Sequence, residues 1–298
     1  MIDEKKIRYI MAINEYRNIT KASEALYISQ PALSRMLLDI EKELGTPLFI
    51  RDHGTLHLTY AGEIYIDACQ KVMNTYDSAC RKIQDITDPD RGMVTLAMTS
   101  TVADAVASFI IQEFGKQYPN TKLVLTEEKG TEIEEIVRIG KADIGLTYRN
   151  AEPDLEHVMI YNDELQVIAP GRNRDPVKTI SIYDLQGQNV ILLKKGRKIR
   201  EQVDTILDKY HVQPNILLET DSLHLCIEMA LDGQGYSFSP NLLLNRSAGY
   251  SQAVRCTISE ERIDRPLYMI RRKDSYFSRS MNRIQEILSK ACGYEICE

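Results

Sequence analysis

The stretch from Ser29 to Arg35, Ser-Gln-Pro-Ala-Leu-Ser-Arg, constrains the fold of this chain more than any other. Ser29 predicts a helix N-cap whose side chain accepts a hydrogen bond from the first turn. Pro31 suits that turn because its missing N–H would have no partner there. Residues at helical spacing then predict one apolar face, formed by Leu33, Met36, Leu37, Ile40 and Leu44. Gln30, Ser34 and Arg35 lie off this face, at the start of the helix.

The surrounding sequence makes this helix the second half of a helix-turn-helix. We predict helices over residues 4–16 and 21–26, with Asn18 or Thr20 capping the second and with Ala22, Ala25 and Leu26 buried. Gly45 is expected to end the Ser29 helix, and residues 46–58 predict a strand–turn–strand wing. A helix of this kind enters the DNA major groove, where Gln and Arg side chains reach base edges. The alternative is a polar helix face that only meets water.

A long helix follows, from a cap at Thr59 to about residue 87. Its apolar residues alternate four and three apart, the heptad pattern of a coiled coil, and we call them the seam: Tyr65, Cys69, Val72, Tyr76, Ala79, Ile83 and Ile86. The seam either packs on the chain's own wing domain or forms a dimer interface, which a reader of paired DNA half-sites needs. Residues 88–92 then predict a hinge.

Strands and helices alternate from residue 93 onward, which predicts an α/β fold. Strands are expected over 93–98, 122–125, 143–147, 165–169, 190–193, 216–219, 236–239, 254–258 and 267–270. Helices are expected over 104–118, 132–139, 199–210, 222–231 and 278–291. Two such sets favour two lobes with a ligand-binding cleft between them.

Charge and motifs narrow the function classes. The net charge is −6, and residues 1–58 carry eight basic and eight acidic residues, so DNA binding would rest on a few placed side chains. The five histidines have no metal-ligand spacing, and no Gly-rich phosphate loop or GxSxG motif follows a strand, so we expect no enzyme, no catalytic residues, no cofactor and no metal. Six scattered cysteines predict reduced, mostly buried thiols. With no apolar run of about 18 residues and no secretory segment at the start, we expect a cytoplasmic protein without a membrane partner.

The chain resembles the LysR-type transcriptional regulators. The matching residues are those from Ile19 to Ser34 and from Ile40 to Gly45, then Leu48, Phe49, Arg51 and the run from Leu58 to Gly62. The segments Asp143-Ile144-Gly145-Leu146 and Asp232-Gly233-Gln234-Gly235-Tyr236 look like two strand signatures of the family's effector domain. Ser23, Met36 and Leu38 depart from the family's usual residues, which affects the bases that are read.

The resemblance implies an α/β multi-domain fold: an N-terminal winged helix-turn-helix, a long linker helix and a C-terminal, two-lobed effector domain like the periplasmic binding proteins. The implied domains are 1–58 for DNA binding, 59–91 for the linker helix and hinge, and 92–298 for the effector. Lobe 1 would span about 92–164 and 268–298, and lobe 2 about 165–267.

The resemblance also implies the DNA-binding residues. They are Thr20, Lys21, Ser29, Gln30, Pro31, Ser34, Arg35, Arg51, His53 and Thr55. Hydroxyls and helix N-termini would hold phosphates, and Gln30 and Arg35 would read bases.

The effector site is expected where strands of the two lobes end. Thr99, Ser100 and Thr101 form a polar corner that suits an anion, or they only cap the next helix. Thr147 ends a strand that faces the same cleft. Opposite lies the basic run from Lys194 to Arg200, which is either a solvated surface or the source of two ligands, Arg197 and Lys198.

The expected partners are double-stranded operator or promoter DNA, a small anionic effector, and further copies of the chain in a dimer or tetramer formed through the 59–87 helix and the effector domains. RNA polymerase is a further candidate. The rival classes are an enzyme and a solute-binding module without a DNA role.

Overall fold

The computed structural model describes residues 3–52, 54–87, 92–148, 153–172, 178–273 and 275–292. They form two compact units: the first contains the described residues up to Gln84 together with Ser275 and Tyr276, and the second contains the rest, from Asp85 onward. The sequence places a predicted hinge at 88–92 and a wing residue at His53, and of these only Gly92 lies within the described residues. Each unit is described in turn.

The first unit is a winged helix-turn-helix followed by the long helix. Its elements are α1 (Glu4–Tyr16), α2 (Ile19–Ala25), α3 (Gln30–Leu44), β1 (Phe49–Asp52), β2 (Thr55–Leu58) and α4 (Tyr60–Thr87). The Asn18 side chain caps α2 by accepting from the Lys21 N–H at 3.1 Å. Gly45 ends α3 in the left-handed conformation, at a φ of 72°. The predicted helices and wing are therefore present.

Three details of the sequence prediction were wrong. Ser29 stands at the N-cap of α3, but its side chain makes no capping bond. The reason is that Pro31 has no N–H and the Ala32 N–H donates to the Ser29 carbonyl oxygen at 3.0 Å. Ala25 is exposed and Leu26 only half-buried, because α2 begins at Ile19 and turns Ile19 and Ser23 inward instead. Leu44 is 45% exposed, since it lies in the last turn of α3 beyond the core.

The wing is tied to the helices through Glu41. Its carboxylate oxygen accepts from the N–H groups of Leu48 and Phe49, at 2.7 and 3.2 Å. At the other side of the hairpin, the Leu56 N–H donates to the Arg17 carbonyl oxygen at 2.9 Å. A charged acceptor that satisfies two backbone donors fixes the wing's position against α3 more firmly than apolar packing alone.

The start of α4 is held against the wing by Thr59 and Gly62. The Thr59 hydroxyl donates to the Pro47 carbonyl oxygen at 2.8 Å and accepts from the Gly62 N–H at 3.0 Å. A Cβ on Gly62 would lie 2.1 Å from the Leu48 carbonyl oxygen, so only glycine allows this approach. Packing therefore explains why a glycine stands at position 62, in the run from Leu58 to Gly62 that resembles the LysR-type regulators.

The seam of α4 divides into two parts. Cys69 is buried and Tyr65 packs on the same core as α1, α2 and α3. The later residues are exposed, Ile83 by 61% and Ile86 by 77%. The first turns of α4 therefore pack on the chain's own domain, which is one of the two alternatives. The dimer interface stays a prediction for the exposed apolar residues of the later turns.

The second unit is an α/β structure. Its strands are β3 (Gly92–Met98), β4 (Thr121–Glu127), β5 (Ile144–Thr147), β6 (Leu155–Arg172), β7 (Lys178–Ile180), β8 (Asn189–Leu193), β9 (Asn215–Thr220), β10 (Ser237–Pro240), β11 (Ala253–Ile258) and β12 (Asp264–Arg272). Its α-helices are α5 (Ser100–Gln117), α6 (Gly130–Arg138), α7 (Lys198–Lys209), α8 (Leu223–Leu231), α9 (Asn241–Arg246) and α10 (Arg279–Cys292). Short 3₁₀ turns lie at Ile182–Leu185 and Ala248–Tyr250.

Two sheet regions meet on the long strand β6. The first has the order β4-β3-β5-β12-β6, with β3 parallel to β4 and β5 and with β12 antiparallel to β5 and β6. The second half of β6 pairs with β10 and β11 instead, and β8 pairs with β9 in parallel. A large apolar core surrounds β3, α5 and α10, and another surrounds β8 and α7. The unit therefore has the predicted two lobes.

The sequence prediction missed part of this unit. The strand expected over 165–169 is the end of the 18-residue strand β6, and β7 and α9 were not predicted. The first half of β6 escaped because polar residues such as Glu156, Asn162 and Glu164 interrupt its apolar pattern. The exact domain and lobe boundaries given above remain predictions.

Within the residues that the structure describes, no helix is long and apolar enough to cross a bilayer. The cysteines described with their side chains are all unpaired, with Cys69, Cys226 and Cys256 buried and Cys80 exposed.

We predict opposite effects of one substitution at two helical glycines. Gly62→Ala should lower the stability of the first unit by about 2 kcal/mol, because the added Cβ meets a backbone oxygen that cannot move aside. Gly115→Ala is the matched control: nothing lies within 4 Å of its added Cβ, and alanine favours the helix by roughly 0.5–1 kcal/mol. Thermal unfolding of both variants checks this, and an unchanged midpoint for Gly62→Ala would contradict it.

Candidate DNA-reading surface and effector cleft

The exposed side of α3 carries the predicted DNA-reading residues. Leu33, Leu37 and Ile40 are buried, which turns Gln30, Pro31 and Arg35 outward and leaves Ser34 half-buried beside them. Ser29 is exposed just before the helix, and its hydroxyl makes no capping bond to the helix. The surface thus offers a Gln, an Arg and two hydroxyls at one helix start.

The rest of the predicted DNA set surrounds this helix start. Thr20 and Lys21 are exposed in the first turn of α2, while Arg51 and Thr55 are exposed on the two strands of the wing. His53 lies outside the described residues. Among the described residues, Lys21, Arg35 and Arg51 form no ion pair, so their charges are not already neutralised by neighbouring carboxylates.

The departures from the family pattern take defined places. The Ser23 hydroxyl is buried and donates to the Thr20 carbonyl oxygen at 2.8 Å, so a serine fits where an alanine is usual. Leu38 is 62% exposed on the outer side of α3 and has no packing partner in the core of the first unit. From the sequence, Leu38 could contact a thymine methyl group or pack on a neighbouring element; it does not pack on the core of the first unit, so contact with a thymine methyl group stays a prediction.

The second unit contains a cleft of about 1500 Å³, larger than the roughly 300–1,000 Å³ of ordinary small-molecule sites. All six predicted effector residues line it: Thr99, Ser100, Thr101, Thr147, Arg197 and Lys198. They come from the ends of β3, β5 and β8 and from the helices that follow, so residues far apart in sequence meet at one place.

Helix N-termini from lobe 1 face the cleft. Thr99 caps α5, and its hydroxyl oxygen accepts from the Val102 N–H at 3.4 Å. Lys129 stands before α6 and makes no side-chain cap, so the N–H groups of Gly130 and Thr131 have no partner inside their helix. The partial positive charge of such helix ends attracts anions.

Thr147 lies at the back of this wall. The residue is fully buried, and its hydroxyl oxygen has no hydrogen-bond partner among the described residues. A Cβ on Gly130 would come within 3.8 Å of that oxygen, so the hydroxyl lies beside the start of α6. A buried hydroxyl without a hydrogen-bond partner lowers the free energy of unfolding by about 1–3 kcal/mol. Thr147 therefore does not serve stability alone.

Lobe 2 contributes a basic loop and the start of α7. Arg197 precedes the helix without capping it and pairs with Asp221 at 3.4 Å, while Lys198 pairs with Glu201 at 3.4 Å. Lys195 also lines the cleft and has no ion-pair partner among the described residues. The exposed ion pairs of Arg197 and Lys198 are weak, so a ligand can compete with Asp221 and Glu201 for these two cations.

A buried arginine supports that loop. Arg200 is 3% exposed, donates to the Leu193 carbonyl oxygen at 2.8 Å and to Asp204 at 2.7 Å, and also pairs with Glu219. The Arg200 guanidinium lowers the pKa of Glu219. The sequence analysis placed Arg200 in the basic run without a role, and the structure shows that it holds the strand end and the helix start together.

The sequence analysis missed the residues at the floor of the cleft. Arg265 is 4% exposed and its guanidinium lies 4.3 Å from the centre of the Tyr148 ring. The Tyr148 hydroxyl donates to Asp163 at 2.9 Å. Burial raises the pKa of Asp163 and lowers that of Arg265. In the sequence, Arg265 is one of several charged residues before Pro266, which is too weak a signal to identify it.

Acidic residues also line the cleft, mainly on lobe 1. Glu128 and Glu132 share a hydrogen bond, which raises the pKa of Glu128. No group of acidic, histidine and cysteine side chains suitable for a metal occurs in the part of the chain that the structure describes.

Comparison with known proteins agrees with this architecture. Residues 5–63 match the model of the bacterial regulatory helix-turn-helix proteins of the lysR family, and residues 87–293 match the LysR substrate binding domain. This chain belongs to the LysR family. As a member, it is a DNA-binding transcriptional regulator with an effector-binding domain.

Two relatives and two structures illustrate the LysR family match. The uncharacterized HTH-type regulator YybE of Bacillus subtilis is 30% identical, over 80% of this chain and 82% of its own. The regulator CysL of the same organism is 29% identical, over 91% of this chain and 89% of its own. A full-length OxyR variant from Pseudomonas aeruginosa has a TM-score of 0.71 at 20% identity, covering 100% of this chain and 96% of its own. Full-length CbnR bound to its target DNA has a TM-score of 0.62 at 19% identity, covering 97% and 100%.

We predict that two threonines of the cleft respond oppositely to valine. Thr147→Val should raise the thermal stability of the second unit by up to about 1 kcal/mol, because it replaces an unpaired buried hydroxyl by a methyl group. Thr99→Val should lower it by about 1 kcal/mol, because α5 loses its cap. Thermal unfolding of both variants without added ligand decides the matter; a clear loss for Thr147→Val would mean that its hydroxyl is structurally required.

Proposed function

We propose that this LysR-family protein reads a specific operator with α3 and the wing, and that a small organic anion bound in the cleft modulates that binding. One observation carries the effector half: threonines, helix starts and cations from both lobes surround a single cleft, and one of the threonines, Thr147, is buried without a partner. The exposed Gln30 and Arg35 of α3 carry the DNA half.

The DNA half follows from residue chemistry. Arg and Gln make paired hydrogen bonds to base edges, while hydroxyls and helix N-termini hold phosphates. On this basis Gln30 and Arg35 specify bases, Thr20, Lys21 and Ser29 position the backbone, and Arg51 and Thr55 add contacts from the wing, together with His53. The related CbnR was solved with its target DNA, which supports the same use of this domain.

Self-association is part of the proposal. The stripe formed by Val72, Tyr76, Ile83 and Ile86 follows a heptad pattern, and each of these side chains is between 39% and 77% exposed. A second α4 would cover it and place two reading helices on paired half-sites. We propose a dimer through α4, with further contacts between effector domains giving a tetramer.

Modulation follows from linkage. An anion that fits one arrangement of the two lobes better than another shifts the population of the assembly between shapes. Because the effector unit follows α4 directly in the chain, such a shift changes the spacing of the reading heads. Contact with RNA polymerase at the promoter is the proposed route to transcription.

We predict that Arg35→Ala abolishes specific operator binding. The variant loses a bidentate base contact worth roughly 1–3 kcal/mol per base pair in each half-site. The operator is first selected from random oligonucleotides with the purified chain, and affinity is then measured by gel shift at fixed salt. Lys42→Ala is the control, since it removes the same charge from the other end of α3.

Sedimentation should show that Arg35→Ala has the same assembly size as the unchanged protein. Operator affinity equal to that of Lys42→Ala would contradict the assignment of Arg35. Selection that enriches no sequence would contradict specific DNA reading and favour the solute-binding alternative.

We predict that small anions raise the thermal midpoint of the second unit and that neutral analogues do not. Acetate, benzoate and succinate are compared with acetamide, benzamide and succinamide at constant ionic strength. Arg197→Gln together with Lys198→Gln should reduce the shift, because the lobe 2 cations are lost. Stabilisation by neutral or cationic compounds only would contradict the anionic effector.

A further inference from the structure

The guanidinium of Arg265 is buried at the cleft floor without full hydrogen bonding. Its Nε and Nη1 atoms have no partner among the described residues, although the side chain is 4% exposed and the residue lines the cleft. Buried donors on a charged group are among the most costly groups to leave unsatisfied. Arg265 therefore has a hydrogen-bonding capacity that the fold does not use.

Asp163, the register partner of Arg265, already accepts hydrogen bonds from other groups. Asp163 accepts from the N–H groups of Glu164 and Leu242 at 2.8 and 2.9 Å through one oxygen, and from the Tyr148 hydroxyl through the other. Asp163 and Arg265 are register partners on β6 and β12, yet they form no ion pair within 4 Å among the described residues. Asp163 thus balances the charge of Arg265 from a distance. It leaves the Nε and Nη1 atoms of the guanidinium without a hydrogen-bond partner among the described residues.

The surroundings of Arg265 suit a carboxylate with an apolar body. The Tyr148 ring centre lies 4.3 Å from the guanidinium, and Tyr148 follows Thr147, whose buried hydroxyl also has no hydrogen-bond partner among the described residues. Leu193, Ile199 and Leu223 line the same cleft. An arginine fork matches the two oxygens of a carboxylate, and the apolar side chains suit an organic remainder that an inorganic ion lacks.

The position of Arg265 also connects it to both lobes. It lies near the start of β12, which pairs with β6 where β6 passes from one sheet region to the other. A ligand that pairs with Arg265 changes the charge balance at the strands on which both lobes are built. Cleft residues that belong to one lobe only, such as Thr99 or Lys198, do not lie on strands shared by both lobes.

We propose that Arg265 recognises the charge of the effector, that the effector is an organic carboxylate whose oxygens pair with Arg265 beside Thr147, and that Tyr148 and Asp163 are the positioning residues. This inference rests on the proposed function and adds the ligand's functional group and the residue that selects it. The arginine distinguishes a carboxylate from its amide, because the amide lacks the charge and one of the two acceptors.

The test uses the full chain and calorimetric titration with benzoate and benzamide, then acetate and acetamide, with sulfate and phosphate as inorganic anions. Arg265→Gln should weaken the binding of the carboxylate at least about 10-fold and leave that of the amide unchanged, so that the preference for charge is lost. Arg255→Gln is the matched control: this half-buried arginine on β11 binds Asn245 and the Leu244 carbonyl oxygen and does not line the cleft. It should keep the preference.

The outcomes separate the inference from the proposed function. If no anion binds the unchanged protein, both fall. A second outcome would overturn only the role of Arg265. In that case a carboxylate binds the unchanged protein, Thr147→Val weakens this binding, and Arg265→Gln leaves it unchanged. Binding of sulfate or phosphate without any carboxylate overturns the ligand class.

A second measurement covers the case in which Arg265→Gln does not fold. A crystal structure of the unchanged protein with the bound carboxylate should place its oxygens within about 3 Å of the Arg265 guanidinium. A carboxylate more than about 5 Å away would overturn the proposal. Arg265→Lys, which keeps the charge but not the fork, should retain part of the preference for benzoate over benzamide, and full retention would argue against pairing through two N–H groups.

Discussion

The pairing of β6 with β12 is the constraint on which the rest of the second unit depends. These two strands run side by side from Leu155 to Glu164, and the continuation of β6 then pairs with β10 and β11. One strand thus belongs to both sheet regions. The ends of β3, β5 and β8 can face one cleft because this shared strand connects the lobes, and Arg265 lies where it does for the same reason. The proposed sensing of an anion is therefore a property of the strand pairing as much as of the cleft's side chains.

The first unit depends on a different kind of constraint. Its core is small, and polar contacts hold its parts in register: the Glu41 carboxylate on the wing's backbone, and Thr59 with Gly62 at the start of α4. Because none of these groups belongs to the exposed face of α3, the residues proposed to read DNA have no part in holding the fold together. Leu38, on the exposed side of α3, can therefore vary without altering the frame, whereas Met36 packs against the core.

Much of this could be predicted from the sequence, for physical reasons that particular residues show. The helix at Gln30 was predicted because its apolar positions repeat at helical spacing. The six residues proposed to bind the effector line one cleft, as expected, because they lie at strand ends and helix starts, which leave local signals in the sequence. The Ser29 cap was wrong because Pro31 has no N–H and the Ala32 N–H donates to the Ser29 carbonyl oxygen, a bond that the sequence does not show. Arg265 and Asp163 were missed because their meaning lies in a cross-strand pairing of residues about 100 positions apart, which no local pattern records.

The order of the core contacts has a consequence for synthesis of the chain. The apolar core of the first unit is formed by residues between Ile7 and Met73, whereas the lobe 1 core needs β12 and α10, which come much later in the chain. The reading head can therefore fold on the ribosome while the sensor is still unfinished. A chain interrupted midway would therefore contain the helix-turn-helix without a complete effector-binding domain.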